Sequence, residues 1–133
     1  MLPAMGKNKG TQRGSPTFDD VRQIALSMPD VEETTAYGMP AFKAGKTRFA
    51  GQPVQRADVE PQTLGVMVSF EERERLLAAR PDIYYLTEHF ANYPAVLARL
   101  TAMTKTELRE LLGIAWAHAM ERQRRAKKKR AKR

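Results

Sequence analysis

Apolar and polar positions along the chain follow two periods in turn, and their order predicts helix, strands, helix, strands and a final helix. Phe18, Val21, Ile24, Ala25 and Met28 recur at helical spacing and stop at Pro29-Asp30, which gives a first helix one apolar face. Thr17-Phe-Asp-Asp20 opens that helix as a capping box, a hydroxyl for the early amides with an acid three residues on. After an acidic turn at Glu32-Glu33, the segment from Thr34 to Gly51 is rich in Thr, Tyr and Phe and is broken by Gly and Pro, as strands joined by tight turns should be. Ala44-Gly45 is the expected two-residue hairpin turn. Lys43 then opposes Lys46, Phe42 opposes Thr47 and Pro40 opposes Phe49, so both phenylalanines share one face and Ala41, Lys43, Lys46 and Arg48 the other.

Gly51 to Thr63 is a long polar connection containing Pro53 and Pro61, after which Leu64, Val66, Val68 and Phe70 alternate as in a half-buried strand. Ser69-Phe-Glu-Glu72 is a second capping box, for a short charged helix with Leu76 and Leu77 inward and Arg80-Pro81 at its end. Ile83 to Leu86 reads as a strand and Asn92-Tyr93-Pro94 as a turn. Val96 to Leu100 reads as a further strand, with a helix over Ala95 to Leu100 left open. Thr104-Lys-Thr-Glu107 is the third box, and Leu108, Leu111, Leu112, Ala115, Trp116 and Ala119 then hold the spacing of a core helix. Beyond Met120 no large apolar residue continues the stripe and adjacent like charges repel, so the expected tail is frayed helix at best.

Charge sharpens this division. The net charge is +8, yet of the 13 residues from Glu121 to Arg133 nine are Lys or Arg, while Ser15 to Met120 carries 11 bases against 14 acids. The chain is therefore expected to comprise a disordered leader at 1–14, one α+β domain at 15–120 and a basic tail at 121–133. With no cysteine there is no disulfide, thiolate zinc site or thiol nucleophile, and a reducing cytoplasmic compartment suits the composition. The leader has no apolar run long enough for a signal peptide or membrane anchor.

Candidate chemistry follows the charge. Arg122, Arg124, Arg125, Lys127, Lys128, Lys129, Arg130, Lys132 and Arg133 form a cation run that gains affinity for phosphate chains by counterion release, without reading sequence. Lys43, Lys46 and Arg48 at a hairpin tip can grip a phosphate, although charged tips also guard sheets against edge pairing. Phe42, Phe49, Tyr84 and Tyr85 at strand spacing belong to the core before they belong to a stacking platform, and only one of the two adjacent tyrosines can face inward. His89 and His118 lie 29 residues apart, outside any ligand motif. His89 is expected to bond a backbone group, and His118 to lie near the surface. Gly6, Gly10 and Gly14 follow no strand and make no phosphate cradle. No catalytic residue, metal or cofactor is expected, and no membrane role, because no large apolar residues alternate with the tail's bases.

Thr17-Phe-Asp-Asp-Val21 with Ala25-Leu-Ser-Met-Pro29, Val31-Glu-Glu33, Tyr37-Gly-Met-Pro-Ala-Phe42, Phe70-Glu-Glu-Arg-Glu74, Thr87-Glu-His-Phe90, Tyr93-Pro-Ala-Val-Leu97, Arg99-Leu100 and Glu107-Leu-Arg-Glu-Leu-Leu112 up to Ala115-Trp116 together resemble the MmcQ/YjbR family. The resemblance spans roughly Pro16 to Met120. It implies a single two-layer α+β domain, an antiparallel sheet with packed helices and a likeness to secretion-chaperone folds. It also implies paired hairpins described as a double wing, from which DNA binding has been proposed for the family. Two features depart from it: Gly51 to Thr63 stands where a second compact hairpin belongs and sets Arg56 against Asp58 and Glu60, and the basic tail is not part of the pattern. The sequence thus points to a non-catalytic DNA-binding protein using the tail and the Lys43 to Arg48 hairpin. A protein-interaction module of chaperone or adaptor type is the alternative, and a homodimer through exposed sheet edges is open.

Overall fold

We describe residues 14–131 from a computed structural model; apart from Gly14, the expected leader lies outside the described residues, as do Lys132 and Arg133. The elements run α1 (Phe18–Leu26), β1 (Val31–Ala36), β2 (Met39–Ala44), β3 (Thr47–Gly51), β4 (Thr63–Met67), α2 (Phe70–Ala79), β5 (Tyr84–Tyr85), β6 (Ala95–Arg99) and α3 (Lys105–Ala131), with short 3-10 turns at Glu88–Phe90 and Leu100–Ala102. The strands form one six-stranded antiparallel sheet in the order β1-β2-β3-β4-β6-β5. The α+β expectation holds.

All three predicted caps form. Thr17 donates its backbone N–H to Asp20 Oδ2 (2.8 Å), Ser69 Oγ accepts from the Glu72 N–H (3.0 Å), and Thr104 and Glu107 satisfy each other's backbone amides (2.9 and 3.1 Å). Each cap supplies a partner for amides that no helical carbonyl can reach. The helices then bury their apolar stripes on the same side of the sheet. Val21 and Ala25 of α1, Leu76 of α2 and Leu108, Leu111, Leu112, Ala115 and Ala119 of α3 join Phe42, Phe49, Leu64, Val66, Val96 and Ala98 in one core. Trp116 ties α3 to the end of α1, its indole N–H donating to Pro29 O (2.9 Å).

The structure corrects several local expectations. Glu32 and Glu33 lie inside β1 rather than in a turn: Asp30, at φ 63°, takes the bend, and strand pairing sets Glu32 opposite Lys43. The β2–β3 turn is Gly45-Lys46, one residue later than expected, because Ala44 pairs with Thr47 and Lys43 with Arg48. Gly45, with φ 62°, supplies the positive φ that a two-residue turn with Gly first requires. A bulge between the Phe42 and Lys43 pairings then shifts Phe42 opposite Ala50, so the extra residue, Phe49, is buried together with Phe42 despite the changed register. The strand expected over Leu64 to Phe70 ends at Met67, since Ser69 caps α2 and Phe70 becomes its first residue. Ala95–Arg99 is strand, not helix, and pairs on both edges.

The largest correction concerns the tail. α3 runs unbroken for 27 residues, about 40 Å. Ala, Arg, Lys and Gln all favour helix, Glu121 pairs with Arg124 (2.6 Å) and Arg125 (3.1 Å), and the cations sit at the helix end whose dipole attracts them. Together these offset like-charge repulsion of about 0.2–0.5 kcal/mol per pair.

Two variants separate cap from core. Thr104→Ala is expected to cost about 1 kcal/mol and Leu112→Ala about 2–5 kcal/mol, both read as lower urea midpoints at unchanged slope. The Glu107 carboxyl is held below its usual 4.5, first by the Thr104 backbone N–H and then by Arg80. Its contribution is therefore complete above about 4.5 and is lost as pH falls through the lower folded value. Glu107→Gln should flatten that part of the acid titration of stability.

Candidate functional site

Ion pairing decides which charges are available. Arg22, Arg73, Arg75, Arg80, Arg99 and Lys105 each meet a carboxylate within 4.0 Å. Lys43 lies 3.8 Å from Glu32, which makes it the least available of the three hairpin bases. Lys46 and Arg48 are exposed and form no ion pair among the described residues. In the extension, Arg124 and Arg125 are turned toward Glu121, whereas Arg122, Lys127, Lys128, Lys129 and Arg130 are exposed and unpaired among the described residues.

The hairpin and the extension meet. Lys46 donates its backbone N–H to Gln123 Oε1 (2.6 Å) across 77 residues of sequence. Gly45 leaves room for that amide: a Cβ there would fall 2.5 Å from Gln123. Past Gln123 the helix is fully exposed and projects roughly 12 Å beyond the body. Lys46, Arg48 and the base of the extension therefore share one end of the molecule, a juxtaposition no local pattern announced.

A groove of about 340 Å³ opens on the sheet face that carries no helix. Its floor is made of small residues, Ala41, Gly51, Gly65 and Ala95, with Met67. Leu64 and Val66 point into the core from the same strand, so Gly65 faces the groove by alternation. One wall is the 52–62 connection, contributing Pro53, Val54 and Arg56. That wall is anchored by Val59, which is buried, by the Tyr85 hydroxyl bonded to the Glu60 N–H (2.9 Å) and Thr63 (2.6 Å), and by Arg99 on Glu60 (2.9 Å). The opposite wall is His89, Phe90 and Tyr93. Arg73 holds it by donating to the carbonyls of Ala91 and Tyr93, each at 2.9 Å. Tyr37 and Arg48 close the rim. Neither Arg48 nor Arg56 forms an ion pair among the described residues, and no Asp or Glu lines the groove.

Among the described residues His89 does not bond the backbone group expected of it; its ring packs against Phe90 (4.9 Å between centroids) and Tyr93 (5.9 Å). His118 is half-buried rather than superficial, and its Nε2 lacks a hydrogen-bond partner. Tyr84 faces the core and Tyr85 the other side, under Arg99 (4.4 Å), as two adjacent strand residues must. Arg56, Tyr37 and Tyr93 escaped notice as a set because three distant segments carry them. Each floor strand brings a small residue to this face, Ala41, Gly51, Gly65 or Ala95, and only strand pairing sets them side by side. No group of three or more His, Cys, Asp or Glu suited to a metal occurs among the described residues, and no helix there is long and apolar enough to cross a membrane.

Comparison with known proteins agrees with the fold. The YjbR family model matches residues 26–118. The uncharacterized proteins Rv2570 of Mycobacterium tuberculosis (strain H37Rv) and Mb2600 of Mycobacterium bovis are each 33% identical over 113 residues, covering 75% of this chain and 85% of theirs. A crystal structure of Deinococcus radiodurans protein DR2400, assigned to the DUF419 domain family, superposes with a TM-score of 0.62 at 23% identity, covering 78% of each chain; at that identity the likeness concerns fold. The chain belongs to the YjbR family.

The docked helix predicts two outcomes. Gln123→Ala should accelerate hydrogen exchange at the Lys46 amide about tenfold and lower the heteronuclear NOE from Arg124 onward, with the sheet amides unchanged. His118 is held below its usual 6.5, chiefly by burial and further by Arg122 and Arg125, so the unfolded chain takes up its proton first. Stability is therefore full above about 6.5 and declines as pH falls from there through the folded value; His118→Gln should remove that decline in urea titrations.

Proposed function

We propose that this YjbR-family protein binds nucleic acid, DNA in the first instance, without catalysis, through its helical basic extension and the adjoining β2–β3 hairpin. The supporting observation is the 2.6 Å bond from the Lys46 N–H to Gln123, because it joins two cation groups that would otherwise be separate appendages. Phosphates reaching the extension at Arg122, Lys127, Lys128, Lys129 and Arg130 come close to Lys46 and Arg48 on the body, so one duplex can contact both. A helix presents its bases at fixed spacing, which lowers the ordering entropy that a disordered tail would lose on binding. Such contacts set affinity and orientation and leave base sequence unread.

A reading without chemistry is supported at the groove, where His89 is packed by aromatic rings and no carboxylate lies among the lining residues to orient it. Of the two wings implied by the family resemblance, the β2–β3 hairpin is the basic one. In place of the second stands the 52–62 connection, folded against Tyr85 and Arg99.

Duplex affinity measured at several salt concentrations tests this. Changing Lys127, Lys128, Lys129 and Arg130 to Gln should weaken low-salt binding at least tenfold and flatten the logarithmic salt dependence by up to about 0.9 per lost contact. Lys46→Ala with Arg48→Ala should weaken binding a few-fold more. If the hairpin variant binds as the parent does while the extension variant does not bind, the body takes no part. If the parent fails to bind duplex at low salt, the protein-interaction reading replaces this one.

A further inference from the structure

We propose that the groove on the helix-free sheet face is a second contact site, for an unpaired strand of nucleic acid, holding a base against its aromatic rim and the adjacent phosphates at Arg48 and Arg56. The inference takes its partner class from the function proposed above and adds a site that the extension does not contain. Charge gives the first argument. Two guanidiniums without ion pairs among the described residues line a cavity in which no carboxylate stands, so the groove is complementary to an anion.

The rim gives the second. Tyr37 is 87% exposed, and Tyr93, with His89 on one side (5.9 Å), is still 50% exposed, leaving ring surface for a planar heterocycle. A sheet face with aromatic side chains and flanking bases is a general solution to single-strand binding, since every base has a π-face to stack. The floor gives the third. Ala41, Gly51 and Gly65 make it shallow enough for a flat ring to lie over backbone, and its volume of about 340 Å³ falls within the range of small-ligand sites.

An acidic peptide satisfies the charge but not the rest. The floor strands are paired on both edges, so an extended peptide finds no sheet edge to join, and the small floor residues leave no deep socket for a helix's apolar anchors.

Gly65→Val fills the groove without changing charge. A Cβ there meets Gly51 O and Leu97 Cδ2 at 3.6 Å, an ordinary contact, and valine suits a strand. With the full chain, the readouts are the affinities for a thymidine decamer and for a duplex of equal length, with amide shifts followed by NMR. The decamer should shift Ala50, Gly51 and Gly65. Gly65→Val and Tyr93→Ala should each weaken decamer binding about tenfold and leave duplex binding within twofold; Arg56→Ala guards against misfolding of either and should weaken the decamer alike. The proposal is overturned if decamer shifts are confined to residues 121–131, if all three variants keep the parent's decamer affinity, or if an oligo-glutamate peptide shifts the groove amides as strongly as the decamer. Loss of duplex binding in the parent with decamer binding intact would overturn the preceding reading and leave this one standing.

Discussion

A six-stranded sheet has two faces, and the three α-helices among the described residues cover only one of them. α3 lies along the core face with Leu108, Leu111, Leu112, Ala115 and Ala119 buried, at about 1.5–3 kcal/mol per large apolar side chain. Most of the fold's stability must come from that contact, because no disulfide is available and the ion pairs are at the surface, where each is worth about 0–1 kcal/mol. The second face has to be made tolerable in water by other means. At its β5–β6 end Tyr85 and Arg99 cover it, stacked at 4.4 Å. At its centre the strands carry alanine and glycine, so little apolar surface is left where no helix packs. The groove is thus a consequence of asymmetric covering rather than an addition to the fold.

The same asymmetry explains why composition misleads about charge. From Ser15 to Met120 acids outnumber bases, which suggests a body indifferent to phosphate. Pairing changes the conclusion, because Glu60 is held by Arg99 and Glu33 by Arg22. The bases left without an ion pair include Lys46 and Arg48 on the hairpin and Arg56 beside the groove, and at such short range local potential matters more than the sum over the domain. Glu60 sits in the same connection as Arg56 and is taken up by Arg99; the count over 52–62 then falls from −1 to zero, with Asp58 still set against Arg56, and only Arg56 of that pair lines the groove.

Features set by neighbours in sequence were legible before coordinates. The three capping boxes and the α3 stripe depend on spacings of three or four residues, and they appear where the pattern put them. Features set by competition between elements were not. Glu32-Glu33 looks like a turn until the opposing Lys43 makes it strand, and Phe70 continues an alternation until the Ser69 hydroxyl claims the Glu72 amide. The β2–β3 register slipped by one because Gly45, not Ala44, adopts positive φ, and the bulge then returned Phe49 to the core. The tail is the same kind of case. Repulsion between like charges is readable locally, whereas the contact of Gln123 with a hairpin tip 77 residues away is not.

Tyr37 brings these threads to one residue. It pairs with Gly38 in the β1–β2 turn, and both have positive φ, 55° and 80°, as a turn of the I′ type demands. Glycine or asparagine accepts that conformation readily, but a tyrosine in it is disfavoured by roughly 1–2 kcal/mol. Burial would ordinarily offset such strain, yet this ring is 87% exposed and enters none of the structure's aromatic pairs among the described residues. The turn does hold the ring at the mouth of the groove, on the side away from Tyr93, where a planar ligand would bring it the contact that the free protein does not supply. Strained backbone clusters at ligand sites, which supports the groove proposed above as the place where this ring is used.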